Sequence, residues 1–445
     1  MPSSNPFFHR GPIRDRAYFF GREHEVSQAL SLLGNGQSIS LIGQRRIGKT
    51  SLLFHIADPE VFTRHGLRPD KHLFVYVDCG GMGGLDQPGL YRVLLEEIGD
   101  ALADKGQTPD QLGMLDESRP MTYRGFERAL RGLVREGWKP ILVLDEFDLM
   151  AHNPHLDPDF FSGLRALAAK YSIAYVTASK RPLLDLTYAD ASTLSSPFFN
   201  IFASVRQGLF SEDVARNLLT GLASRGELTF APSTIDSLLD LAGPHPLFLQ
   251  IAGFHAFELG QAADSTLSDA DLPELRTRFC ASVEEHFHYY WRNLTLEEQH
   301  TLFTLAVSRN SQPDVIRHLE QECLILRRAE GYDYLSSAFR EFVGSQPVSG
   351  LLQAGPVAID ENRHRALLYG QSLELTPTQY TLMVHLIKEA GQVITPEELE
   401  RAVWGEEYIE DPERLKSVIK GLRRALGEEA ERLENVRGVG YMWRG

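Results

Sequence analysis

Gly43-Gln44-Arg45-Arg46-Ile47-Gly48-Lys49-Thr50 fits the pattern G-x-x-x-x-G-K-[ST] at every fixed position. Residues of these types at this spacing do phosphate chemistry. The glycines let backbone N–H groups close around phosphate oxygens, and a helix starting behind the loop adds further N–H groups and the positive end of its dipole. Lys49 is placed to neutralise β- and γ-phosphates, and Thr50 to offer its hydroxyl to Mg²⁺. Gly43, Arg46, Gly48 and Ser51 complete the set expected around a bound nucleotide. A second motif, Pro140-Ile141-Leu142-Val143-Leu144-Asp145-Glu146-Phe147-Asp148, passes from an unbroken apolar run to acids. Asp145 is placed to hold Mg²⁺ through water, and Glu146 to orient or deprotonate an attacking water. Lys49, Asp145 and Glu146 are thus the expected catalytic residues, with ATP or ADP and Mg²⁺ as cofactors.

A phosphate loop needs a strand in front and a helix behind. Ile39–Ile42 reads as that strand and Thr50–Ile56 as that helix. The run at 140–144 is apolar throughout, as in a central strand of a parallel sheet covered on both faces. Ligands of such sheets sit outside the carboxyl ends of the strands, so the acids should face the loop. His72–Asp78 and Ser172–Ser179 read as further strands. Glu23–Leu33, Leu90–Ala103 and Phe126–Glu136 read as amphipathic helices, the last ending at Gly137, with Gln107–Pro120 a polar connection. Ser211 is placed to cap a helix with acids in its first turn.

Farther on, Thr295-Leu296-Glu297-Glu298 is a capping box opening a helix to Ala306. Pro313–Glu320, a hairpin turning at Glu330-Gly331 and a helix at Ser336–Val343 complete a small unit. Gly344–Pro356 reads as a linker. Beyond it come short strands around Val357–Asp360 and Ala366–Leu375, then helices opened by Thr376-Pro377 and Thr395-Pro396. A third helix covers Pro412–Leu426, and a hairpin at Asn435–Trp443 closes the chain.

Composition narrows the function classes. A chain of 445 residues is too long for one ordinary core and predicts two to four domains. A formal charge of −15 excludes a globally basic nucleic-acid coat, so any DNA contact must come from a local basic face. Cys79, Cys280 and Cys323 are far apart and have no metal-ligand spacing. No run of about eighteen apolar residues occurs, so a cytoplasmic protein without membrane contact is expected.

The segment Phe20-Gly21-Arg22-Glu23, followed by the loop reading GQRRIGKTSLL, resembles the nucleotide-binding module of the STAND class of AAA+-related P-loop ATPases over roughly residues 5–345. The resemblance implies that Phe20, Gly21 and Arg22 line the adenine side. It also implies a polar sensor at Ser179 or Thr177, with Arg181 as a basic residue near the γ-phosphate. The lid signature of such ATPases appears as Gly243-Pro244-His245-Pro246, with Pro244 where a second glycine is usual; His245 and Pro246 are the implied lid contacts. Residues 295–343 resemble the degenerate winged helix that follows the lid.

LTPTQ, VITPEEL, VWG, LRRAL and VRGVGY, in that order from about 355 to 445, resemble the OmpR/PhoB-type winged helix of bacterial response regulators. On its third helix Leu415, Ile419, Leu422 and Leu426 form the expected buried stripe. Residues 411–426 carry five basic side chains against two acidic, whereas 353–445 hold 12 basic against 16 acidic. A basic helix on an acidic domain is a local footprint for duplex DNA. The resemblance places Arg414, Val418 and Gly421 on the base side and Lys420, Arg423 and Arg424 on phosphates. Lys416 lies on the same exposed face, and Arg437 is the wing residue.

The expected fold is an α/β P-loop NTPase, a parallel sheet flanked by helices (1–205), with a helical lid (206–293). A winged-helix-like unit (294–343), a linker (344–356) and an α+β winged-helix domain (357–445) follow. The first functional expectation is a bacterial transcription regulator in which ATP-Mg²⁺, hydrolysed slowly, switches a DNA reader, with self-association on ATP binding and an unseen protein partner or signal. The alternatives are a DNA-handling ATPase, such as a helicase loader or transposition regulator, and a defence sensor.

Overall fold

The computed structural model of the chain describes residues 4–8, 10–107, 121–183, 186, 197–262, 267, 269–305, 313–329, 331–347, 351–361, 364–369, 371–405 and 412–445. The chain divides into Met1–Thr229 with Pro244–Phe254, and Phe230–Gly243 with His255–Gly445. In the first unit the order is α1 (Glu23–Gly34), β1 (Ser38–Ile42), α2 (Lys49–Ala57), α3 (Pro59–Arg64), β2 (His72–Asp78), α4 (Gln87–Ala103), α5 (Tyr123–Arg135) and β3 (Lys139–Asp145). It continues with α6 (Phe147–Ala151), α7 (Pro158–Tyr171), β4 (Ala174–Ser179), β5 (Phe202–Arg206) and α8 (Glu212–Arg225).

The five strands lie in the order β2-β3-β4-β1-β5, every neighbouring pair parallel. Leu142 and Leu144 of β3 face a core shared with α4, α5 and α7, and Ile141 and Val143 face another shared with α1, α2 and α3. A strand covered on both faces cannot alternate apolar with polar, which is why 140–144 is unbroken. Asp145 and Asp78 stand side by side at the carboxyl ends of β3 and β2. The sequence reading gave no place to β5. Its residues Phe-Ala-Ser-Val-Arg are mostly half-buried or exposed, so their pattern is faint, yet β5 pairs with β1 along its whole length.

Next come α9 (Pro232–Ala242) and α10 (Pro246–Ala262), then α11 (Leu272–Arg292), α12 (Leu296–Phe303) and α13 (Pro313–Gln321). The chain then forms β6 (Ile325–Arg328), β7 (Gly331–Tyr334), α14 (Ser337–Ser345), β8 (Leu352–Ala354), β9 (Val357–Asp360), β10 (Arg365–Leu368) and β11 (Gln371–Ser372). It ends with α15 (Pro377–Lys388), α16 (Pro396–Trp404), α17 (Pro412–Leu426), β12 (Leu433–Val436) and β13 (Gly440–Trp443). The capping boxes at Thr295, Thr376 and Thr395 all form with reciprocal bonds to Glu298, Gln379 and Glu398. Each satisfies two N–H groups that a helix start otherwise leaves open.

Two sequence expectations change. The segment expected as a single lid is divided between the two units, α8 belonging to the first and α9 to the second. The expected linker contains β8, which pairs with β9 and whose Ala354 carbonyl accepts the Trp443 indole N–H at 3.0 Å. Strand β8 therefore belongs to the C-terminal core of Val357, Ile359, Leu382, Leu386, Leu422 and Trp443. Residues 108–120 of the polar connection, 348–350 of the linker and Glu330 of the expected turn lie outside the described residues. Among the described residues, no helix is long and apolar enough to cross a membrane.

Candidate functional site

Strand β1 delivers Gly43 to the sheet's carboxyl edge, between the ends of β4 and β5. The loop then takes left-handed conformations at Arg46 (φ 68°) and Gly48 (φ 101°) before α2 opens at Lys49. A Cβ on Gly43 would stand 2.7 Å from the Gln207 carbonyl and 2.9 Å from a methyl of Ile47, so only glycine lets the chain cross Gln207 here. Nζ of Lys49 donates to the carbonyls of Gly43 (2.7 Å) and Gln44 (3.0 Å), which holds the ammonium at the loop's mouth. Burial pushes its pKa down to about 8, against the opposing pull of Asp148, Asp145 and Glu146.

Oδ2 of Asp145 accepts from the Thr50 hydroxyl at 2.7 Å and from the Tyr76 hydroxyl at 2.9 Å, and Oδ1 accepts the Glu146 N–H at 2.9 Å. A hydroxyl and a carboxylate meeting at a helix start are hard oxygen donors. They fit Mg²⁺, which takes one or two protein oxygens beside substrate phosphates and keeps several waters. Thr50 and Asp145 are the residues that would hold it. Among the described residues no group of three or more His, Cys, Asp and Glu side chains forms a metal cage of its own. Glu146 is exposed and left-handed (φ 50°), with its carboxylate over Gly80, which the Asp78 carboxylate also flanks.

Tyr76 was not anticipated. It occupies the face of β2 that looks towards α2, its ring tilted on Phe54, and burial and Asp145 together raise its pKa. The available signal was a polar ring two residues before the acid that ends the same strand. For Tyr76→Phe the expected loss is about 1.5 kcal/mol of stability, the low end for a bond to a charged acceptor. Urea unfolding measures it, and an unchanged midpoint would show that the bond contributes nothing.

The remaining expected residues lie around this centre or away from it. The Ser179 carbonyl accepts the Gly43 N–H at 3.2 Å, but its hydroxyl donates to the Arg181 carbonyl at 2.7 Å, within its own turn. Thr177 is fully buried and Arg181 exposed. Ser51 Oγ accepts the Ile13 N–H at 3.0 Å. Phe20 packs on Gly221 and Gly21 on Val214, both residues of α8, while Arg22 lies over the Phe210 ring at 4.5 Å and donates to the Gly208 carbonyl. His245 is buried and stacked on Phe248 at 4.3 Å, and Pro246 opens α10. Gln207, buried against the loop, was missed together with β5.

In the C-terminal domain, Leu415, Ile419, Leu422 and Leu426 form the buried stripe of α17, and Arg414, Lys416, Lys420 and Arg424 are exposed. Val418 is half-buried. Arg414 lies over the Trp404 ring at 4.2 Å, and Lys416 pairs with Glu413 at 2.8 Å. Two positions expected on the DNA side have close partners within the domain. A Cβ on Gly421 would stand 2.3 Å from the Gln379 amide, so this glycine admits the start of α15. Arg423 donates to the Leu433 carbonyl at 2.7 Å and anchors the β12–β13 hairpin. Arg437 is exposed at the tip of that hairpin.

A family model described as Novel STAND NTPase 2 matches residues 25–313, and one described as Transcriptional regulatory protein, C terminal, matches 370–443. The sensory transduction protein RegX3 of Mycolicibacterium smegmatis is 34% identical over 99 residues, 22% of this chain and 43% of that protein. The transcriptional regulatory protein ResD of Bacillus subtilis is 31% identical over 121 residues, 26% of this chain and 48% of that one. The chain thus spans less than half the length of these two curated relatives. The Walker-type ATPase PABY2304 of Pyrococcus abyssi has 17% identity and a TM-score of 0.52, covering 75% of this chain and 98% of its own, which is a likeness of fold. With the phosphate loop, the β2-β3-β4-β1-β5 sheet and a family match over more than half its length, the chain belongs to the Novel STAND NTPase 2 family and joins that NTPase module to a domain that matches the C-terminal part of transcriptional regulatory proteins.

Proposed function

We propose that the chain is an ATP-dependent switch: nucleotide held by the first unit changes how the C-terminal winged helix binds duplex DNA. The observation that carries this reading is the 2.7 Å contact between the Thr50 hydroxyl and the Asp145 carboxylate at the mouth of the loop, in a chain that also bears a regulator's C-terminal domain. In the proposal the N–H groups at the start of α2 and the Lys49 ammonium grip the phosphates. Phe20, Gly21 and Arg22 border the base, and Glu146 holds the attacking water. Thr50 and Asp145 would hold Mg²⁺, which would supply charge neutralisation at the phosphates. Arg414, Lys420, Arg424 and Arg437 meet the duplex.

Two sites coupled through one equilibrium must be coupled reciprocally. Duplex affinity should differ by about 5- to 150-fold between ADP and a non-hydrolysable ATP analogue, and DNA should change nucleotide affinity by the same factor. Titrations of the full chain in both directions measure this, with sedimentation velocity reporting self-association on ATP binding. Equal duplex affinities in the two nucleotides would reject the switch and leave two independent binding modules.

A further inference from the structure

Helix α5 carries Arg124, Arg128, Arg131 and Arg135, and all four side chains are exposed. With 3.6 residues per turn they fall in a sector about 60° wide. Phe126, Leu130 and Leu133 occupy the opposite side and are buried in the core, so the stripe points straight away from the sheet. It runs about 16 Å along the helix at ~1.5 Å per residue. Glu127, between them in sequence, is turned aside to Lys170 (2.6 Å) and Tyr171 (3.0 Å). Among the described residues no ion pair or hydrogen bond engages the four guanidinium groups.

A row of like charges repels itself, and this one stands on a chain with 60 acidic against 45 basic residues. All four are arginine, whose guanidinium stays charged and grips phosphate through two parallel bonds. We propose that this face of α5 contacts the backbone of duplex DNA without regard to sequence, as a second DNA surface in addition to that of the C-terminal domain. One strand of a duplex offers a phosphate every ~3.4 Å of its axis, so about five lie along the length of the stripe. The inference rests on the reading that the C-terminal domain binds duplex DNA. Tethering to that reader raises the local concentration of phosphates to about the millimolar range, where contacts weak in isolation are made. An acidic face of a second copy is the competing occupant.

The test uses the full chain with all four arginines changed to glutamine, and a second variant with all four changed to lysine. Binding to a long mixed-sequence duplex is followed by fluorescence anisotropy across a salt series, with sedimentation velocity on the same samples without DNA. The glutamine variant should lower the slope of log affinity against log salt by about 3 to 4, at ~0.9 per phosphate contact, and the lysine variant should retain most of it. ATP affinity and thermal unfolding should stay as in the parent. An unchanged slope overturns the inference, and so does lost self-association with the slope intact, which assigns the face to a second copy. A parent chain without duplex affinity overturns the DNA reading as well, whereas parent binding with an unchanged variant slope overturns this inference alone.

Discussion

Lys49→Ala should lower ATP affinity by about two to three orders of magnitude, the effect of removing one partner from a partly buried charge pair costing ~3–4 kcal/mol. The ammonium donates to the carbonyls of Gly43 and Gln44, so it spans the loop from its first residues to the helix behind it. It therefore contributes to both the shape and the charge of the cradle. Its pKa near 8 adds a signature that a merely structural lysine would lack. Bound phosphates require the ammonium form, so the parent chain should take up about half a proton per nucleotide at pH 8 and almost none below pH 7. Affinity should therefore fall as pH rises through 8. Calorimetry in buffers of different ionisation heat reads the uptake, which Lys49→Ala should lose. For stability the same sign holds: the unfolded chain keeps this proton more tightly, so the free protein gains stability as pH rises from about 8 towards the ordinary lysine value, and the variant does not. Unchanged ATP affinity in Lys49→Ala would remove this residue from the site.

The loop and the acids are legible in the sequence because their chemistry demands particular residue types at fixed spacing. The covered strand β3 was legible because burial on two faces forbids polar residues at 141–144. What stayed hidden depends on contacts across the fold. Tyr76 reaches Asp145 from a neighbouring strand 69 positions away in sequence, and β5 is held by its pairing with β1 more than by any pattern of its own. Gly421 and Arg423 show the limit of a helical projection. The stripe Leu415–Leu426 fixes which way α17 turns, but not that Gln379 covers one flank or that the Leu433 carbonyl receives a guanidinium on the other. The exposed arginines of α5 can be read from the sequence, but their face acquires meaning only when Glu127 is seen hydrogen-bonded to Lys170 and Tyr171.

Glu146→Gln should retain ATP while slowing its hydrolysis by about 10²- to 10⁴-fold, the range for a lost general base. The two effects separate because backbone and side chain have separate jobs here. The Glu146 N–H is bonded to Asp145 Oδ1, and the left-handed turn at φ 50° is set by that bond and by the strand end, neither of which the substitution alters. Asp145 keeps its bonds from Thr50 and Tyr76, so the expected metal and phosphate contacts persist. Only the exposed carboxylate over Gly80 changes, from a group that accepts a proton to one that does not. Single-turnover hydrolysis beside equilibrium nucleotide binding measures both quantities on one sample. Normal turnover would move the water-positioning role to another acid, and Asp78 is then the first to test because its carboxylate flanks the same glycine. If the chain is a switch, the variant should also hold its ATP form, so its duplex affinity in ATP should equal that of the parent with a non-hydrolysable analogue. A variant with arrested hydrolysis whose duplex affinity still matches the parent in ADP would show that the triphosphate, though bound and preserved, has no hold on the DNA reader.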